Sequence, residues 1–174
     1  DLLTTVSPTY AREIQASAER GFGMEGLLRQ RSGSLFGVLN GIDLDIWNPE
    51  KDQHLPRRYG AADRAAGKAA CKAAVQRDCG LSEDSGKPLI SIISRLDYQK
   101  GLDLAIQALE PRLNRCQLAV IGTGDLELQN ALSSLERRHP GAVHFHQAFD
   151  DAFAHRLYAA GDFFLMASRF EPCG

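Results

Sequence analysis

Between Leu89 and Met166 short apolar runs alternate with single helical patterns, and that alternation leaves few folds open. Leu89–Ile93, Gln117–Ile121, Val143–His146 and Phe163–Met166 each read as a strand, rich in β-branched or aromatic residues and bounded by polar or turn-forming ones. The stretches between them, 101–109, 126–138 and 152–160, read as helices, and in the first Leu102, Ile106 and Leu109 stand at the spacing of one helix face. Strands joined by single helices of this length form right-handed βαβ units on a parallel sheet, which predicts an α/β, Rossmann-like domain with flanking helices. Ligands of such sheets lie at the carboxyl ends of the strands. The loops at 94–100, 122–125, 147–150 and 167–174 are therefore expected to converge on one crevice.

The first part of the chain starts inside another βα unit. Leu2 to Val6 predicts a strand, and Ser7-Pro8 predicts the N-cap and first residue of a helix reaching about Ala18. A short helix near Glu25–Gln30 and a strand near Leu35–Leu39 lead to an Asn40-Gly41 turn. Trp47-Asn48-Pro49 opens a polar connection, and the Ala- and Lys-rich run 63–79 predicts a helix ended by Gly80.

Basic and acidic residues, 20 against 22, nearly cancel and form no long block, so neither nucleic acid nor a membrane surface is indicated as a partner. Cys71, Cys79, Cys116 and Cys173 contain no C-x-x-C pair, which argues against a zinc ribbon or redox dithiol and for reduced thiols in a cytosolic or plastid-stromal compartment. No apolar stretch has membrane-spanning length, and the N-terminus lacks the pattern of a signal peptide. The chain lacks an initiator Met and stops in a predicted loop. It is expected to be an internal piece of a longer protein.

Chemistry is concentrated in the strand-end loops. In Ser94-Arg95-Leu96-Asp97-Tyr98-Gln99-Lys100-Gly101 a guanidinium and an ammonium stand where a strand hands over to a helix, a setting that suits a diphosphate; two solvated surface charges are the plain alternative. Gly122 and Gly124 would let the backbone approach a phosphate or ribose, or serve positive-φ geometry alone, and the third glycine of a dinucleotide fingerprint is missing. Glu171, held extended by Pro172 and followed by Cys173-Gly174, would hold sugar hydroxyls beside exposed amides, or close a strand-end turn. His144 and His146 have the spacing of a metal pair but no third ligand at a matching offset, so no metal site is expected. Asp150-Asp151 reads as a helix cap before it reads as a catalytic pair.

Several motifs in order carry a resemblance. Thr5–Ile14, Gly23–Leu28, Val38–Asp43 with Trp47-Asn48-Pro49, Ser94-Arg95-Leu96 with Gln99–Asp103, and Ser168–Gly174 resemble the bacterial glycogen synthase and plant starch synthase family. The resemblance implies a GT-B fold, two Rossmann-like domains facing across a cleft. Residues 1–40 would end the N-terminal domain, 41–62 would link, and 63–174 would form the first half of the C-terminal, nucleotide-sugar-binding domain. It implies that Arg95 and Lys100 grip the donor's diphosphate, and that Glu171 contacts the glucosyl hydroxyls. Cys173 and Gly174 would belong to the loop whose amides approach that sugar, with Asn40 near the glucose. Phe149 falls where relatives tend to have a Tyr stacked on the base, and a phenyl ring stacks without the hydroxyl.

The implied reaction transfers glucose from ADP-glucose to the non-reducing end of an α-1,4-glucan with retention, without cofactor or essential metal. Negative charge growing on the departing diphosphate makes fixed cations the central catalytic device. No second carboxylate of a retaining glycosidase is visible, so Glu171 is read as a positioner of the sugar rather than a nucleophile. Two other readings stay open: a non-catalytic nucleotide- or glucan-binding module, and another retaining GT-B transferase. Half a cleft would neither exclude water nor hold an acceptor, so the chain alone is expected to have little transferase activity.

Overall fold

The computed structural model describes residues 1–173. The chain divides into two compact units, one formed by Asp1–Asp43 together with the residues from Phe170 onward, the other by Leu44–Arg169.

In the first unit β1 (Leu3–Val6) and β2 (Leu35–Val38) pair in parallel with Leu3 opposite Leu35. The crossover contains α1 (Pro8–Glu13), α2 (Ala18–Gly21) and α3 (Glu25–Gln30). The Ser7 hydroxyl accepts the N–H of Tyr10 at 3.3 Å and Pro8 opens the helix, as the Ser-Pro pair predicts. The helix expected to reach Ala18 is shorter, because Ser17 caps a new one, accepting the N–H of Arg20.

The second unit is a four-stranded parallel sheet in the order β5-β4-β3-β6, built from β3 (Leu89–Ile93), β4 (Gln117–Ile121), β5 (Val143–His146) and β6 (Phe163–Phe164). Its helices are α4 (Arg64–Asp78), α5 (Leu102–Leu109), α6 (Leu126–Arg138) and α7 (Asp151–Ala160). Every residue of β4 is buried, and its alternation feeds two layers. Leu118 and Val120 pack with Leu102, Leu132 and Leu135 of α5 and α6. Ala119 and Ile121 pack with Cys71, Val75, Phe153 and Leu157 of α4 and α7. This is the α/β fold with parallel sheets and flanking helices that the alternation predicts. The last strand is shorter than expected: ladder pairing covers Phe163 and Phe164 at the sheet edge, although the Leu165 N–H still reaches the Ser91 carbonyl at 2.9 Å.

Residues 44–62 form no long helix or strand, yet they are anchored on the second unit. Leu55 is buried with the α4 and α7 side chains, and the Cys71 thiol donates to the Arg57 carbonyl at 3.4 Å. Among the described residues no helix is long and apolar enough to cross a membrane.

Candidate functional site

The chain runs outward from β3 to β4 and β5, then returns to place β6 on the other side of β3. Strand-end loops on the two sides of β3 therefore diverge there, the point at which open α/β sheets bind ligands. The loop after β3 carries the two cations. Asp97 caps a 3-10 turn over Tyr98–Lys100 by accepting the Lys100 N–H at 3.1 Å, and Gly101 follows in the left-handed region at φ 64°. A Cβ at Gly101 would collide with the Ala167 carbonyl from the β6 side, so this glycine permits both the turn and the close approach of the two loops.

The structure places the cations at two neighbouring recesses. Arg95 is 73% exposed in its side chain and lies 3.4 Å from the Asp97 carboxylate. With Ile93, Ser94, Ile121, Gly122, Thr123, Ala148 and Phe149 it lines a cavity of about 280 Å³, completed by Trp47, Asp150, Asp151, Ala154 and Tyr158. Three of the four loops expected to converge thus meet there. Lys100 lines a smaller recess with Ser94, Leu102, Met166, Ala167 and Ser168, which brings in the fourth loop through its first residues. Lys100 is itself engaged in an interaction.

Helix α5 does not begin directly on the cations. Asp103 occupies its first turn, and its carboxylate takes a bidentate pair from Arg169, at 2.8 and 2.6 Å. The Arg169 guanidinium also donates to the Tyr98 carbonyl at 2.9 Å and lies 4.0 Å over the Tyr98 ring. That guanidinium holds the Asp103 carboxyl well down, at about 2. This clamp ties the β6 loop to the β3 loop; both residues lie in motifs named above, but no sequence signal pairs them across 66 positions.

The glycines after β4 have a packing reason. A Cβ at Gly122 would strike the Ser94 carbonyl, and one at Gly124 the Leu96 carbonyl. The Leu96 N–H donates to Thr123 O at 2.9 Å, and Asp125 N–H to Leu96 O at 2.7 Å. Gly122 nevertheless borders the larger cavity. Phe149 is 94% exposed, a ring presented to solvent at the cavity rim.

Asp150 caps α7, accepting the Phe153 N–H at 2.9 Å, as expected for an acidic cap. His144 pairs with Glu136 at 3.1 Å, His146 with Asp150 at 3.3 Å, and burial pushes the His144 imidazole below its ordinary value. Among the described residues no group of three or more His, Cys, Asp or Glu side chains could hold a metal ion. His155 lies on α7. Its Nδ1 lies 2.6 Å from Asp52 Oδ2, both side chains buried, and Trp47 stacks on its ring.

The other expected residues fall in the first unit. Asn40 is exposed just beyond β2; Glu171 is half-buried and engaged, and Cys173 carries a half-buried free thiol. Gly174 lies outside the described residues. The eight expected residues that the structure describes thus divide, with Arg95, Lys100, Gly122, Gly124 and Phe149 on the second unit and Asn40, Glu171 and Cys173 on the first.

Residues 87–174 match the family profile described as glycosyl transferases group 1. Over its whole length the chain is 50% identical to a glycogen synthase of Paracidovorax citrulli and 53% identical to one of an Anaeromyxobacter species, covering 34% and 36% of those proteins. It spans about a third of the length of the curated relatives it matches. Among solved structures, the catalytic domain of starch synthase IV from Arabidopsis thaliana, bound to ADP and acarbose, superposes with a TM-score of 0.91 at 38% identity, over 99% of this chain and 36% of that one. A more distant neighbour, Anabaena Alr3699/HepE in complex with UDP and glucose, has a TM-score of 0.53 at 16% identity, over 96% of this chain and 46% of that one, and shares the fold.

Proposed function

The chain belongs to the group 1 glycosyl transferases, and from that premise we propose that it supplies the donor side of a glucan synthase, an enzyme transferring glucose from ADP-glucose to the non-reducing end of an α-1,4-glucan with retention. The observation that carries this reading is a pair of neighbouring recesses: Arg95 and Phe149 line one at the carboxyl ends of β3–β5, and Lys100 lines the next. A cation beside an aromatic, apolar pocket is the arrangement a nucleoside diphosphate needs. The glycogen synthases among the relatives and the ADP bound to the starch synthase IV neighbour support adenine as the base.

In this reading Arg95 and Lys100 take up the charge that builds on the diphosphate as the glycosidic C–O bond breaks, so they stabilise the transition state more than the ground state. They serve where other transferases use a metal ion, and no cofactor is required. Phe149 stacks on the base. Gly122 and Gly124 let the β4 loop lie close against the β3 loop and so keep Arg95 at the cavity wall. Glu171, assisted by Asn40 and the Cys173-Gly174 backbone, orients the glucosyl hydroxyls and takes no part as a nucleophile.

The test is a calorimetric titration of the chain with ADP and with UDP, repeated with Lys100→Ala. Saturable binding of ADP, tighter than UDP and weakened by the substitution, supports the reading. Failure of a demonstrably folded chain to bind either nucleotide overturns it.

A further inference from the structure

The cavity has an aromatic wall that its cation motif does not account for. Trp47 lines it beside Arg95 and Phe149. Its indole lies flat on the His155 imidazole, centroids 4.0 Å apart and planes 7° from parallel, and the Tyr158 ring meets it edge-on at 5.4 Å. Such a ring is held from behind and from the side.

The hold is traceable to a buried polar pair. His155, 4% exposed on α7, has Nδ1 at 2.6 Å from Asp52 Oδ2. The other carboxylate oxygen of Asp52 accepts the His54 N–H at 2.8 Å. The Asp52 backbone is fixed as well, its N–H donating to Asn48 O at 2.9 Å and its carbonyl accepting from the Arg58 guanidinium at 3.1 Å. A buried carboxylate with both oxygens occupied sets one orientation of the imidazole, and the imidazole sets the plane of the indole. Phe149 offers a contrast at the same cavity, because its ring is almost wholly solvated and must be ordered on binding. Preorganised aromatic surface binds more tightly per unit area than surface ordered on contact.

We propose that Trp47 is a base-binding residue, the fixed aromatic face against which a purine nucleotide's base packs, and that His155 and Asp52 are its positioning residues. The proposal rests on the reading of the cavity as a nucleotide site. Its commitment to the base over a sugar follows from the apolar lining supplied by Ile93, Ile121 and Ala154.

Trp47 is the single tryptophan of the chain, so its emission reports this wall alone. Titration with ADP should change that emission saturably, with the dissociation constant measured by calorimetry. Adenosine should produce the same change more weakly, and inorganic diphosphate should produce none. His155→Gln, which keeps a hydrogen bond to Asp52 but removes the stacked ring, should alter the ligand-free emission and weaken ADP about tenfold, the scale of one base–aromatic contact. Trp47→Ala should weaken it comparably, while Trp47→Phe retains most of the affinity. ADP that binds by calorimetry and is weakened by Arg95→Ala, yet leaves Trp47 emission unmoved, overturns the role of Trp47 while the nucleotide site stands. No ADP binding to the folded chain removes the site reading and this proposal with it. An emission change with maltooligosaccharide but not ADP assigns the wall to a sugar and overturns the base assignment.

Discussion

The two ends of the four-stranded sheet use the same kinds of side chain to opposite effect. At the amino end Lys72 is 7% exposed, and its ammonium donates to the carbonyls of Ser85 (3.1 Å) and Lys87 (2.6 Å) and to the Asp162 carboxylate (2.7 Å). Nearby Gln117 donates to Ser82 O and Gly141 O while accepting from Gln76. These groups are consumed in tying α4 and the strand-entry loops together. At the carboxyl end Arg95 is exposed beside an open cavity, with Asp97 at 3.4 Å. A cation whose donors are saturated by fixed backbone acceptors is a structural tie; one left at a cavity mouth retains donors for a ligand.

Lys72→Ala tests the amino end and should have the largest effect. It removes the donor to two carbonyls and one of the two donors to the Asp162 carboxylate, which keeps the Leu89 N–H at 2.8 Å; because Asp162 is also partly exposed, the cost should be about 2–3 kcal/mol, below the full penalty for breaking a buried pair. Urea unfolding reads this directly, and ADP affinity of the folded fraction should not change. A variant of normal stability that no longer binds ADP would break the division between the two ends.

Arg95→Ala is the converse. Loss of one charge-assisted contact, about 1.5–3 kcal/mol, should weaken ADP by about tenfold to a hundredfold. The unfolding free energy should stay within about 0.5 kcal/mol of wild type, as for exposed substitutions. Unchanged affinity with reduced stability would make Arg95 a structural residue like Lys72.

What could be read from sequence follows the range of each signal. Strands β3, β4 and β5 and helix α6 appear with the expected bounds, because apolar periodicity is a local signal. The loops after β3, β4 and β5 are legible as a group for the same reason. The anchoring of 44–62 was not visible as more than a polar connection, since Asp52 and His155 meet across 103 positions and no periodicity records a partner that distant. The glycines at 122 and 124 illustrate a different gap: a turn signal was legible, but the Ser94 and Leu96 carbonyls that require them come from another loop.

Arg169→Ala sharpens the comparison at its weakest point, because the Arg169–Asp103 pair is a surface contact at the carboxyl end of the sheet. The guanidinium is the main cause of the low value at Asp103, about 2 against an ordinary 3.8, with the N–H groups of Asp103 and Leu104 at the start of α5 adding to it. Without Arg169 the carboxyl should titrate higher, toward the ordinary range, which a carbon-detected NMR titration of Asp103 would follow. The sign is fixed by the depression of the folded-state value. The pair stabilises the fold above about pH 4, and that contribution is lost as pH falls through 2, so wild type and variant should converge in stability across that window. Salt should shrink the difference at neutral pH, because exposed pairs are screened. An Asp103 that still titrates near 2 in the variant would place the cause in the helix N-terminus instead. The clamp between the β3 and β6 loops would then rest on the Arg169 N–H bond to Gln99 O at 2.8 Å rather than on charge.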